Sequence, residues 1–273
     1  MRFRLIALAA LTLAATPGAS RAPGQGAIDA AAVRPLLTER IGSLSPRRVR
    51  TLVVLIPGDA RIGGVGDPGA FATSAIAAIP ASAAVIVTPP GHADRRGARS
   101  PGVIDSGYGD GFTPPAIAAL ARTLSDLRRR YRNARTVIVG ESGGAVLAAD
   151  LAGSRPALVD GMVLVACPCS LPEWLRYMKR QRPREPWDAP VASLDPLRIA
   201  GGLDPRVRVA LLVSDADRVT PARFSRAYAE ALALRGIATD LRVVDSTSRA
   251  ILNDPEVLAA TTRLTANLTA PQP

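Results

Sequence analysis

The sequence predicts an α/β fold, a three-layer sandwich in which a mostly parallel sheet of about six strands carries helices on both faces. Two observations indicate this architecture. Short apolar runs rich in β-branched residues alternate along the chain with longer segments of helical character. These runs are apolar at nearly every position, as parallel strands are when helices cover both faces of their sheet. No internal repeat or second domain boundary interrupts the alternation, so we expect one domain.

Strands and helices alternate along the chain, except that an irregular segment separates the fourth and fifth predicted strands. The predicted strands cover 52–56, 83–88, 136–139, 162–166, 207–213 and 241–244. The predicted helices cover 70–79, 115–131, 144–152, 222–234 and 255–268, and a segment near 28–37 is also typical of a helix. Each strand run has the usual length of about 4–8 residues, and the alternation predicts strand–helix–strand units.

The amino terminus has the pattern of a secretory signal peptide over 1–22. Arg2 and Arg4 precede an apolar run over 5–15, and small residues follow it. The run is shorter than the ~20 residues that a membrane-spanning helix needs. We therefore expect a periplasmic or secreted protein with a mature domain over 23–273 and no stable membrane insertion after cleavage. A buried amino-terminal helix is the alternative.

The basic composition does not point to a nucleic-acid partner. The formal net charge is +11 at pH 7, and Lys179 is the only lysine. The arginines are scattered, and the densest group, Arg128 to Arg130, ends a predicted helix, where cations complement the helix dipole. Aromatic residues, which stack on bases, make up only 4% of the chain, and no nucleic-acid-binding motif accompanies the charge.

Cys167 and Cys169 are separated by one proline at the end of an apolar strand. A disulfide across so short a loop would be strained, so the sequence predicts small, half-buried thiols, with a redox pair as the alternative. Two cysteines and one histidine make a structural zinc site improbable, and no metal or cofactor is expected.

A long irregular segment, 168–205, contains both tryptophans, Trp174 and Trp187, and is rich in prolines and charges. Connections of this length in compact domains are often active-site lids. The segment is therefore predicted to be a cap or lid insertion that shapes the pocket over the site.

The strand over 136–139 leads directly into the pentapeptide Gly140-Glu141-Ser142-Gly143-Gly144 and then into a helix. A serine on such a cramped strand-to-helix turn is exposed for reaction, the glycines relieve steric conflict, and the helix amino terminus favours a developing oxyanion. The context predicts Ser142 as a nucleophile. Its hydroxyl requires a neighbouring base, which is normally a histidine.

From this point the chain resembles the α/β-hydrolase family, in its serine peptidase and esterase branch, and is similar to the catalytic domains of prolyl oligopeptidase and dienelactone hydrolase. The resemblance runs from Thr51 to the carboxyl terminus. It implies hydrolysis of an ester, amide or peptide bond in a small molecule or peptide through an acyl-serine intermediate. The few mature residues before Thr51 leave little room for the opening hairpin of the family.

The resemblance also places an oxyanion hole. Its backbone donors would be Gly143 and either Asp59 or Gly58, which follow the first predicted strand. Pro57 departs from the common His-Gly form of this segment. An Asp59 side chain beside an oxyanion would be unfavourable unless it turns away.

The acid of the family follows the next-to-last strand. Asp217 fits this position best and Asp215 is the reserve. Both aspartates are also typical of turns and helix caps, and that structural role is the alternative.

The base of the family follows the last strand, where this chain has Arg249. A guanidinium cannot accept a proton near neutral pH, so Arg249 could hold an anion or pair with Asp217 but could not act as the base. His92, the single histidine of the chain, follows the strand over 83–88 and is the other candidate. That strand is expected to lie two positions from the nucleophile strand, about 10 Å away, so His92 could equally be a packing residue of the rim.

Two functions remain open on these grounds. One is an exported serine hydrolase, impaired because the expected histidine is missing. The other is a non-catalytic binding or scaffold protein that keeps the fold and the pocket. A third class, a basic surface-binding protein, would require binding that depends on salt and not on Ser142. The sequence predicts neither the substrate nor the oligomeric state.

Overall fold

The computed structural model describes residues 33–59, 66–104, 111–187, 192–245 and 250–268. The predicted signal peptide over 1–22 lies outside these ranges. Within them, one sheet of seven strands forms, and its members are β1 (Thr38–Ile41), β2 (Thr51–Ile56), β3 (Ser82–Val87), β4 (Arg135–Glu141), β5 (Gly161–Val165), β6 (Arg208–Ser214) and β7 (Thr239–Val244).

The strands are arranged in the order β1-β3-β2-β4-β5-β6-β7. The pairing of β1 with β3 is antiparallel, and all other neighbours are parallel. The carboxyl ends of β2 to β7 therefore meet at one edge of the sheet. In open α/β sheets, ligands bind outside that edge.

Helices connect the strands and cover the sheet. The described helices are α1 (Pro68–Ala78), α2 (Pro114–Arg130), α3 (Gly143–Ser154), α4 (Leu171–Gln181), α5 (Pro196–Ile199), α6 (Arg223–Leu234) and α7 (Pro255–Ala266). None of these helices combines the length and the apolar character that crossing a bilayer requires.

Two apolar clusters make the three layers. On one face, Leu52 and Val54 of β2 belong to a core shared with α2, α3, α4 and α6. On the other face, Val53 and Leu55 belong to a core shared with α1 and α7. Strands that are buried on both faces need apolar side chains at successive positions, which explains the continuous runs in the sequence.

The six predicted strands and five of the predicted helices are confirmed, but the sheet contains a seventh strand. The short edge strand β1 has the sequence Thr-Glu-Arg-Ile and alternates between exposed and half-buried side chains. The predicted helix near 28–37 is wrong over 33–37, since these residues form no helix. Instead the Thr88 N–H donates to the Leu37 carbonyl, and the Leu36 N–H donates to the Thr123 hydroxyl of α2.

The segment over 168–205 is more regular than predicted, because it contains α4 and α5. Leu171, Trp174 and Met178 of α4 are buried, and their helical spacing attaches the helix to the core. Two side chains of α4 reach the loop after β6: the Trp174 indole donates to the Val219 carbonyl and the Tyr177 hydroxyl donates to the Arg218 carbonyl. In the described part of the chain this insertion braces that loop, and its role as a lid stays a prediction.

The prediction of reduced, half-buried thiols is wrong. Cys167 and Cys169 form a disulfide, and both are completely buried at the end of β5. Their Cα atoms are 5.1 Å apart, which lies within the range that a disulfide bridges.

Part of the arginine cluster at the end of α2 has a structural role. The Arg128 guanidinium lies 2.9 Å from the Asp160 carboxylate, which Arg135 of β4 also contacts at 2.9 Å. The Thr136 N–H donates to the same carboxylate. Asp160 thus joins α2 and β4 to the start of β5, at the sheet edge opposite the ligand-binding edge.

Candidate active site

Ser142 occupies a strained turn between β4 and α3. Its backbone has φ 51° and ψ −117°, a conformation that non-glycine residues rarely adopt. The Ser142 N–H donates to the Val165 carbonyl of β5, which fixes the turn to the neighbouring strand. Strain of this kind persists where the surrounding structure enforces it and is concentrated at functional sites.

The glycines on either side of Ser142 are required by close packing. A Cβ atom on Gly144 would lie 2.0 Å from the Ile56 carbonyl oxygen of β2, and one on Gly140 would lie 2.5 Å from the Gly144 carbonyl oxygen. Helix α3 can therefore start directly against the sheet only because both positions lack a side chain. The glycines of the motif therefore allow the close approach of α3 to the sheet.

The predicted oxyanion residues lie around one cavity. Gly143 is the first residue of α3, where backbone N–H groups have no partner within the helix. Gly58 and Asp59 line the same cavity from the loop after β2, and His92 lines it from the loop after β3. The cavity lining includes Gly58, Asp59, His92, Phe112, Gly143 and Leu147.

The Asp59 side chain is directed toward His92. Its Oδ2 lies 3.7 Å from His92 Nε2, and both side chains are half-buried. The carboxylate thus has a cationic partner whenever the imidazole is protonated. This contact orients the Asp59 side chain, which the sequence alone left undetermined.

His92 is held in its loop by backbone contacts. Nδ1 lies 3.0 Å from the Pro90 carbonyl oxygen, which can only accept, so Nδ1 carries the proton and Nε2 is the atom able to take another. The strand order β3-β2-β4 confirms that His92 follows a strand two positions from β4, the strand that leads into Ser142. His92 and Gly143 nevertheless line the same cavity.

Asp217 lies in the loop after β6, as predicted, and its carboxylate is used within that loop. The N–H groups of Val219 and Thr220 donate to Asp217 Oδ1 at 2.7 and 2.9 Å. These contacts correspond to the turn-forming role, and the acid role stays a prediction. Asp215 is exposed. Arg249 lies outside the described residues.

Sequence reasoning missed Glu141, which precedes Ser142. Its side chain is 3% exposed. The Gly66 N–H lies 3.0 and 3.2 Å from its two carboxylate oxygens, and the Leu252 N–H also donates to it. Burial raises the pKa of Glu141 to about 7, against the opposing effect of these two donors. The only sign of this role in the sequence is that Glu141 is a charged residue within an otherwise apolar strand and turn.

Phe112 was also missed. Its ring is buried and packs against the backbone of Gly143, where a Cβ atom would lie 3.3 Å from the ring. The Phe112 carbonyl accepts a hydrogen bond from Leu194, which follows α4. Phe112 therefore forms an apolar wall of the cavity beside the start of α3.

Among the residues that the structure describes, no group of three histidine, cysteine, aspartate or glutamate side chains could hold a metal ion. What the geometry offers is a strained serine at a helix amino terminus, next to a cavity that also contains an aspartate and the single histidine.

Comparison with known proteins gives matches only among solved structures. No protein-family model matches the chain, and a search of curated proteins gives no match. The monoacylglycerol lipase of Paleococcus ferrophilus superposes with a TM-score of 0.56 at 18% identity, over 86% of this chain and 99% of that chain. An esterase of Pyrococcus furiosus superposes with a TM-score of 0.60 at 12% identity, over 81% of this chain and 82% of that chain.

Dipeptidyl peptidase 4 of Porphyromonas gingivalis gives a TM-score of 0.60 at 14% identity, over 87% of this chain and 35% of that longer chain. At sequence identities of 12–18%, these similarities show a shared fold only. The seven-stranded sheet, the helices on both faces and the serine turn after β4 agree with it, and the chain has the α/β-hydrolase fold.

Proposed function

We propose that the protein is a serine hydrolase that cleaves an ester, amide or peptide bond through an acyl-Ser142 intermediate. The observation that carries the proposal is the strained backbone of Ser142 at the junction of β4 and α3. In this position the Gly143 N–H and the amino terminus of α3 can stabilise the oxyanion that forms when the hydroxyl attacks a carbonyl. The loop amides of Gly58 and Asp59 are the candidates for the second donor.

The base is the weak part of the proposed site. Position 249 holds an arginine, which cannot take the serine proton. We propose His92 as a displaced base: its Nε2 is free of the tautomeric proton, and the Asp59 carboxylate would stabilise the imidazolium. Because His92 starts two strands away from Ser142, we expect slow turnover.

A binding function without catalysis is the second candidate. The arginine at position 249 favours it, since loss of one triad member typically costs about 10⁴-fold in rate. The cavity beside Gly143 would then hold a ligand without cleaving it. Such a protein would keep the fold and lose the reaction.

Labelling with a fluorophosphonate tests the proposal. We expect slow labelling at Ser142, none in Ser142→Ala, and slower labelling still in His92→Ala.

Arg249→His should raise hydrolysis of a p-nitrophenyl ester, because it restores a base where the fold expects one. Absence of both labelling and hydrolysis in Arg249→His would favour the binding function. Fast labelling of the unmodified protein that His92→Ala abolishes would contradict the expected impairment.

We also propose that the protein is exported. The pattern over 1–22 supports export, and so does the disulfide between Cys167 and Cys169, because disulfides persist mainly in oxidising compartments. An exported hydrolase would act on small molecules or peptides outside the cytosol.

A further inference from the structure

Glu141 connects three loops at the ligand-binding edge of the sheet. It is the last residue of β4 and immediately precedes Ser142. Its carboxylate accepts from Gly66, which precedes α1, and from Leu252, which precedes α7. The two donors are separated by most of the chain, so a single side chain holds together elements that meet only in the folded protein.

A second set of contacts joins the same two loops. The Asp67 N–H donates to Asn253 Oδ1 at 2.6 Å, and Asn253 Nδ2 donates to the Asp67 carbonyl at 3.1 Å. A Cβ atom on Gly66 would lie 2.6 Å from both Asn253 Oδ1 and Leu252 Cβ. The two loops therefore touch at the position of Gly66, with no space between them.

The contacts at Gly66 and Leu252 lie at the ends of the two loops that contain residues of the proposed active site. The segment after β2 begins with Gly58 and Asp59, the candidate oxyanion donors, and its far end is fixed at Gly66. The segment after β7 contains position 249, and its far end is fixed at Leu252. Glu141 is joined to Ser142 by a peptide bond, so a shift of its side chain reaches the Ser142 turn directly through the backbone.

We propose that Glu141, with Asn253, is a positioning residue for the reaction at Ser142. Its buried carboxylate holds the segment before α1, at Gly66, and the segment before α7, at Leu252, against the end of β4, directly beside the Ser142 turn. The inference rests on the proposed hydrolase function for its catalytic consequence. The connection of the loops itself is independent of that function.

Glu141→Gln is the decisive variant, because it keeps the shape of the side chain and replaces one acceptor oxygen by a donor. The Gly66 N–H, which contacts both carboxylate oxygens, then faces an amide donor at one of them, and the remaining bonds lose the negative charge of the carboxylate. We expect kcat for p-nitrophenyl acetate to fall by about 10-fold or more, since misplacement by 1 Å can cost about 10²-fold. KM should stay within about twofold, because the cavity wall is unchanged.

The matched control is Asp150→Asn, the same kind of change at another buried carboxyl group, whose oxygens accept no hydrogen bond among the described residues. Its kcat should stay near that of the unmodified protein. Asn253→Ala removes the second link without altering β4, and we expect the same direction of change. It also keeps the proposal testable if Glu141→Gln does not fold. Unchanged kcat in both loop variants would overturn the inference.

Hydrogen exchange separates this inference from the proposed function. In Glu141→Gln, the amides of Gly66 and Leu252 should exchange about tenfold faster or more, while the amide of Leu211 in β6 keeps its protection. If the unmodified protein hydrolyses no ester beyond Ser142→Ala, the hydrolase proposal fails and the exchange rates still decide whether Glu141 holds the loops. Unchanged exchange at Gly66 and Leu252 would contradict the inference even in an active enzyme.

Discussion

At the scale of single residues, two buried carboxyl groups lie on either side of Ser142 in the chain. Glu141 receives backbone N–H donors, whereas both oxygens of Asp150 in α3 have no hydrogen-bond partner among the described residues. Burial raises the pKa of Asp150 to about 8, and the negative charge of Asp195 adds to the shift. The same desolvation therefore acts on both groups, and the donors limit it only at Glu141.

Asp150→Asn should change the pH dependence of stability. The ordinary pKa of the group is 3.8, and its pKa in the folded protein is about 8. The folded state thus keeps a proton that the unfolded chain loses, so the contribution of Asp150 to stability is complete below about pH 4 and is lost as the pH rises to about 8.

Asparagine does not titrate, so the Tm of the variant minus that of the unmodified protein should increase from pH 4 to pH 8. We expect an increase of roughly 5 °C or more, given about 2–4 °C per kcal/mol for a domain of this size. Thermal unfolding followed by circular dichroism measures the difference at each pH. Glu141 is present in both proteins, so its own titration cancels. A constant difference across this range would show that Asp150 is charged in the folded protein.

The sequence could identify the residue types of the site but not all of their contacts. Ser142, its glycines and the loop of Asp217 follow strands whose apolar runs are easily recognised, so their place at one sheet edge was predictable. Glu141 was not recognised, because its donors come from Gly66 and Leu252, and nothing local to the motif indicates such distant contacts.

At the scale of elements, the junction of β4 with α3 depends on how closely the helix approaches the sheet. Gly144→Ala should destabilise this junction, because its Cβ would lie 2.0 Å from the rigid Ile56 carbonyl. We expect a loss of about 1–3 kcal/mol or more in the free energy of unfolding, together with slower labelling of Ser142. Chemical denaturation measures the first and fluorophosphonate labelling the second.

Gly201→Ala is the matched control for this change. A Cβ atom there would have only the Arg235 side chain nearby, at 3.8 Å, and Gly201 lies far along the chain from Ser142. Its stability should stay within about 0.5 kcal/mol of the unmodified protein. Equal losses in the two variants would mean that the close approach of α3 to β2 is not the cause.

Elements were predictable where burial dictates the sequence. The six central strands are apolar because helices cover both of their faces. β1 has one neighbour and two exposed side chains, so four residues of mixed polarity gave no strand pattern. Prolines and charges around α4 concealed a helix whose buried Leu171, Trp174 and Met178 nevertheless follow the helical period.

At the scale of the whole molecule, the topology gathers loops from β2, β3, β4, β6 and β7 at one edge of the sheet. This arrangement brings His92 and Asp59 to the cavity beside Gly143, although the three residues belong to different strand ends. The architecture is shared by a lipase, an esterase and a peptidase, so it does not determine a substrate. In the proposed hydrolase, the rate depends on which base the loops bring to Ser142.

The completely buried disulfide makes the redox state of this protein a measure of its unfolding. A thiolate must reach a sulfur atom to reduce the bond, and neither Cys167 nor Cys169 is exposed. Reduction by excess dithiothreitol should therefore proceed only through molecules in which the layers around β5 have opened, at a rate that follows the opening reaction. Mass spectrometry of alkylated thiols records it, and reduction of the native protein as fast as that of the urea-unfolded chain would exclude this gating. Conversely, the oxidant must act on the nascent chain before α4 and α6 close over the end of β5.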